Sequence, residues 1–169
     1  MYIDPTRHCW IDVIIPTKSK LWDNDVSTSF DWLGTVWADT LKTLIAPNSH
    51  PGQAPDPTFR LPRTHRGPYQ PGPTNGLVCF GSLGPGEVTV SGRKLVGISQ
   101  RRTKQGCRFQ CLVVPHWNPT PYRKYLTDKA QTGFEQAIEN LEVGLDTDTP
   151  KIEPRVLEQE FLQHLPSPI

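Results

Sequence analysis

Two hydrophobic periods share this chain. Cys9 to Ile15 (CWIDVII) is a mostly apolar run that Pro16 stops, because proline donates no hydrogen bond to a strand ladder. The run predicts a strand in a sheet interior. After LWDND the period lengthens: Val26, Phe30, Leu33, Trp37, Leu41 and Leu44 recur at steps of four and three, the stripe of an amphipathic helix, with Asp23 or Asn24 as its N-cap. The aromatic residues on that stripe are expected to pack against a sheet.

Short strands follow further along, over Leu77–Phe80, Glu87–Val90, Lys94–Arg102 and Cys107–Val114. Ser91-Gly92 joins the second to the third and Lys104-Gln105-Gly106 the third to the fourth, both with turn chemistry, so the pattern is an antiparallel meander. Phe134, Ile138, Leu141 and Leu145 return to helical spacing, and a second short helix runs from Val156 to Leu165. The fold class is therefore α+β: an antiparallel or mixed sheet with one long helix packed on it and further helices at the end. No internal repeat interrupts it.

Composition changes this picture in one place. Eighteen prolines in 169 residues are about twice the usual share of ~5%, and eight of them (47, 51, 55, 57, 62, 68, 71 and 73) fall between residues 46 and 75. No regular element is expected there. Arg60, Arg63, Arg66 and His65 stand among those prolines, so the stretch reads either as a solvated loop or as a lid suited to a phosphate-bearing partner.

Charge and cysteine usage narrow the function classes. A net charge of +1 gives no global field that would draw the chain to nucleic acid or an anionic membrane. No apolar run approaches the ~20 residues of a membrane span, and MYIDPTRHCW lacks the order of a signal peptide; the expected location is the cytoplasm. Cys9, Cys79, Cys107 and Cys111 are irregularly spaced and read as free thiols. Cys107 and Cys111 on one strand stand about 13 Å apart, too far to share a zinc ion with His116. No metal is expected.

The densest chemical signal is EVTVSGRKLVGISQRR, Glu87 to Arg102. Gly97 inside an apolar strand marks a place where a ligand or another backbone comes close, and Lys94 is the candidate cation facing it. A plain hairpin with solvent-facing lysine and arginines accounts for the same pattern. Arg93, Lys94, Arg101, Arg102, Lys104 and Arg108 would also give one hairpin the charge of a nucleic-acid surface, but only Phe109 is interleaved for stacking, so no nucleic-acid partner is expected.

Gly92 to Arg102, GRKLVGISQRR, resembles the catalytic-lysine segment of the biotin and lipoate protein ligase superfamily, and its Ser99-Gln100-Arg101 continuation is similar to the lipoate branch. Trp10 to Trp37 is similar to an actinobacterial lipoate–protein ligase-like group, so the resemblance covers most of residues 8–118. It implies a class II biotin/lipoate ligase catalytic domain over residues 1–118, with 46–75 inserted as a proline-rich loop and 119–169 a helical extension of the same domain. It also implies Lys94 as the residue presented to an acyl group, with Gly92, Gly97, Ser99 and Gln100 as substrate-binding positions.

Two chemistries share that superfamily. Lipoate–protein ligases use ATP to form an acyl-adenylate, for which Lys94 would bridge the acyl carbonyl and the α-phosphate. Octanoyltransferases take octanoate from an acyl carrier protein through a cysteine thioester and need no ATP. Cys79-Phe80, fifteen residues before Lys94, is similar to the Cys-Phe pair of one octanoyltransferase branch. A cation beside a thiol lowers its pKa and makes it a nucleophile, and an ammonium can also hold the carbonyl oxygen of the tetrahedral intermediate. The small buried cysteine of an apolar run, LVCF, is the plainer account of Cys79. Either chemistry implies lipoate or octanoate as substrate, no covalently bound cofactor, and as partners the lipoyl acceptor domains of 2-oxoacid dehydrogenases or the glycine cleavage H protein. The family's arginine and glycine-rich loop, which in relatives would precede Cys9, does not occur in the sequence. The expectation that follows is a truncated domain, a non-catalytic remnant or one half of a two-chain enzyme.

Overall fold

The computed structural model describes residues 3–45, 61–73, 78–123, 137, 138, 141–145 and 151–167. Within them the chain is α+β, with a five-stranded antiparallel sheet and two long helices. The strands are β1 (Cys9–Pro16), β2 (Arg63–Thr64), β3 (Val88–Val90), β4 (Arg93–Arg102) and β5 (Gly106–Val113), in the spatial order β1-β5-β4-β3-β2. The predicted meander is present: β3 turns into β4 and β4 into β5. Ser91 and Gly92, at φ 53° and 83°, form the two-residue turn of the first hairpin, with both central residues at positive φ as a right-twisted hairpin favours.

The sheet corrects three expectations. Among the described residues β1 pairs only with β5, so it is an edge strand and not interior; its apolar run is long because its inner face is packed, while Ile14 on the outer face is 72% exposed. The proline-rich stretch is not wholly irregular, since Arg63–Thr64 pairs with Val88–Thr89 as the other edge, and Gln70 bridges Leu83. The predicted strand over Leu77–Phe80 is instead a 3-10 turn over Cys79–Gly81, entered from an extended Val78; Leu77 lies outside the described residues, as do 46–60, 74 and 75.

Helix α1 (Asp31–Ile45) places Leu33, Trp37 and Leu41 wholly inside, at helical spacing, against the inner face of the sheet. Its start corrects the predicted cap by several residues. Asp23 and Asp25 accept from the backbone N–H of Asp25 and Ser27, and Asp23 also accepts from the Thr28 hydroxyl. Such side-chain bonds give the backbone an alternative to helix, so residues 23–30 form turns and Val26 stays 54% exposed. After a helical turn, α2 (Thr120–Arg123), the last helix is α3 (Pro154–His164), which lays Leu157 and Phe161 against α1. The Trp37 and Phe161 rings lie 4.3 Å apart. Phe30 and Trp32 meet Phe109 of β5 edge-on, closing the core between helices and sheet.

The apolar spacing of Phe134 to Leu145 is not one helix. Ala137 and Ile138 are helical, but Leu141–Leu145 is a strap running parallel to β4, bridging Val143 to Lys94; Phe134 lies outside the described residues. The strap satisfies backbone groups that β3 leaves free: Lys94 N–H donates to Glu142 O at 2.8 Å and Gly144 N–H to Lys94 O at 3.0 Å. Arg93 secures it further by donating to the carbonyls of Gly144 and Val143. Among the described residues no helix is long and apolar enough to cross a membrane.

Candidate functional site

A β-bulge decides where Lys94 points. Thr89 pairs with Lys94, yet Val88 pairs with Val96, so β4 carries one residue more than β3 at this place. Leu95 and Val96 are both fully buried in the helix-side core, and the alternation beyond them is displaced by one. Lys94 therefore joins Gly97 on the outer face. Without the extra residue, strict alternation would set Lys94 beside Val96 and Ile98, under the helices.

On the outer face Lys94 is 5% exposed and closely held. Its Nζ lies 2.6 Å from Glu87 Oε2, donates to Ser82 O at 2.7 Å, and sits 4.7 Å from the centre of the Phe80 ring. Glu87 is anchored in turn: Oε2 accepts from Gly84 N–H at 2.7 Å and Oε1 from Ile98 N–H at 3.1 Å, so the carboxylate continues the ladder past the end of β3. Burial pushes the Lys94 ammonium below its ordinary pKa; Glu87, by charge and by hydrogen bond, and the charge of Cys79 act in the opposite sense. Three neighbours of Nζ, from Phe80 to Glu87, come from one short stretch that opens with the 3-10 turn.

Cys79 begins that turn and is exposed, the one open thiol among four free cysteines. Its carbonyl accepts from the Ser82 hydroxyl, which ties the turn to the carbonyl that holds Lys94. The other three thiols are buried, and burial pushes Cys9 up to about 11 and Cys111 up to about 12. Gly97 is where the Phe80 ring comes close: a Cβ on Gly97 would lie 2.8 Å from Phe80 Cε2 and 3.4 Å from Lys94 Cε. The close approach expected of this glycine is made by a side chain of the same protein.

The structure thus brings Cys79, Lys94 and Gly97 together. Ser99 is exposed further along the same face of β4. Gln100 is not with them: alternation turns it to the helix side, where it donates to Ser29 Oγ and accepts from Arg102 Nε. Gly92 forms the exposed hairpin turn. Sequence reasoning missed Glu87 and Phe80 as partners of Lys94. The hairpin register set by Ser91-Gly92 places Thr89 opposite Lys94 and so turns Glu87, two residues before Thr89, to the face of Lys94; what no residue pattern announced is the bulge, which puts Gly97 in place of Val96 on that face. Among the described residues no group of three or more His, Cys, Asp and Glu could hold a metal ion. The chain was compared with protein-family models and with curated proteins, and none of either matches it.

Proposed function

We propose that this chain is an acyltransferase of the biotin and lipoate protein ligase superfamily, with the class II catalytic-domain fold, passing an octanoyl or lipoyl group to a lysine of a lipoyl acceptor domain. The observation that carries this reading is the open Cys79 thiol on the turn that grips the buried Lys94 ammonium. The resemblance of Gly92 to Arg102 to the superfamily's lysine segment supplies the class of substrate.

In this reading the Cys79 sulfur attacks the carbonyl carbon of an octanoyl thioester. A new C–S bond forms, the oxyanion is held by Lys94 Nζ, and the carrier's thiol departs with the proton that Cys79 loses. The amine of the acceptor lysine then attacks the Cys79 thioester. The amide N–C bond forms, the Cys79 sulfur leaves, and the amine's proton restores the thiol. No ATP is consumed.

Intact mass of the chain after incubation with octanoyl carrier protein, without ATP, tests the reading. A gain of one octanoyl group, reversed by hydroxylamine and absent from Cys79→Ser, is the expected result. No gain in the parent chain, or an equal gain in Cys79→Ser, would overturn it.

A further inference from the structure

The outer face of the sheet continues past Lys94 and Gly97 into a surface that acyl transfer does not use. Gly97, Ser99 and Arg101 of β4 stand opposite Leu112, Gln110 and Arg108 of β5, and those opposite Trp10, Asp12 and Ile14 of β1. At the Gly97 end this face is covered, with Trp10 and Leu112 packed beneath Val78, Phe80 and Val143. At the Arg101 end it is open: Ser99, Arg101, Arg108 and Asp12 are exposed, and Ile14 is 72% exposed among them.

The open end is cationic. Arg101 and Arg108 are directly opposed, a like-charge pair that costs stability, and Asp12 compensates Arg108 alone. The loop after β1 is tied to the β4–β5 turn by Thr17 N–H donating to Gln105 O, which adds exposed Lys18 and Lys20 to exposed Lys104. Lys18, Lys20, Arg101 and Lys104 form no ion pair among the described residues. With Arg108, this end holds five of the chain's eighteen Lys and Arg against Asp12, in a protein of net charge +1.

We propose that this end of the sheet is the docking surface for an acidic protein, with Ile14 on the edge strand as the apolar anchor beside Arg108, Arg101 and Lys104. Charge complementarity sets the sign of the partner, and the anchor sets its class. A bare isoleucine beside β-strand arginines suits a protein face that brings its own apolar side chain, since such interfaces combine apolar contacts with polar ones. It offers nothing to a phosphate backbone, and Asp12 repels one. Arg101 lies roughly 13 Å along β4 from Gly97, so a partner seated here delivers a group along the same face to Cys79. The choice of the acyl-carrying protein as that acidic partner rests on the proposed acyl transfer.

The test measures binding and transfer separately, using an acidic octanoyl carrier protein and a neutral octanoyl thioester of N-acetylcysteamine. Arg101→Glu/Lys104→Glu should raise the Kd for the carrier at least tenfold, and added salt should weaken the parent's binding. Ile14→Thr should weaken binding severalfold with the salt dependence unchanged. Transfer from the neutral thioester should be the same in the parent and both variants. If the parent binds the carrier but transfers from neither donor, acyl transfer fails and the docking surface stands. No carrier binding by the parent, unchanged binding by the double variant, or tighter binding of a single-stranded oligonucleotide than of the carrier would overturn the docking surface.

Discussion

The two faces of β4 are built on opposite terms. Towards the helices, Leu95, Val96 and Ile98 lie in one dry cluster with Leu33, Trp37, Leu41, Phe109 and Phe161. Towards the outside, the same strand offers Lys94, then Gly97, then Ser99 and Arg101, passing from a buried ion pair to an open cationic surface within eight residues. The inner face is uncharged from Leu95 to Ile98 and the outer one is organised around charge. What separates them is the single extra residue at Leu95–Val96, so one irregularity in the ladder lets a strand serve the core and a site together.

The largest stability effect should come from the outer face, where Lys94→Met leaves Glu87 buried without its partner. Breaking a buried pair costs about 3–5 kcal/mol, and urea denaturation should register that loss. Lys94→Met/Glu87→Gln should recover at least half of it, yet neither variant should transfer an acyl group. A double variant as unstable as the single one would show that the site's cohesion does not come from the ion pair.

On the inner face, Leu41→Ala should cost roughly 2–5 kcal/mol by opening a cavity beneath α1, with transfer per folded molecule unchanged. Loss of transfer out of proportion to unfolding would mean that the two faces are coupled through the strand. At the hairpin, Ser91 is a non-glycine residue at φ 53°, and Ser91→Asn gives the turn its preferred Asn-Gly sequence. An increase of about 0.5–1 kcal/mol in unfolding free energy is expected, with the faces unaltered.

Much of the fold was legible because its signals were local. Each hairpin of the meander carries its turn residues between apolar strands, and the stripe Leu33, Trp37, Leu41 marks α1 by period alone. Legibility failed where side chains or tertiary contacts overrode the pattern. Asp23 and Asp25 look like helix caps but bond the backbone into turns, and Leu141 and Leu145 keep helical spacing although Lys94 draws the chain between them into a strap. Lys94 itself was legible from its surroundings in sequence. Its partner Glu87 went unread although the Ser91-Gly92 register already turns both to one face; what the sequence concealed was the bulge, which lets Leu95 and Val96 both enter the core and brings Gly97 beside Lys94.

The smallest effect concerns His8, which is buried before β1 and whose Nδ1 accepts from Asp4 N–H at 3.2 Å. Burial lowers its pKa from 6.5; Asp4 opposes this and Arg7 adds to it. The folded chain therefore binds this proton less readily than the unfolded one. Stability should fall modestly as pH drops through 6.5 and level off below the folded pKa, and His8→Gln should remove that slope from urea midpoints taken between pH 7.5 and 5.5. An identical slope in the variant would assign it to other groups.

The strap over Leu141–Leu145 also bears on the order in which the molecule forms. The β3–β4–β5 meander closes over short loops, whereas the Lys94 N–H waits for a carbonyl some fifty residues further on. Lys94 can meet Glu87 within a nascent hairpin, but its backbone is locked only on arrival of the strap. In pulse-labelling exchange the Lys94 amide should gain protection later than the amides shared by β4 and β5, and during that interval the chain holds a finished meander around an unfinished site.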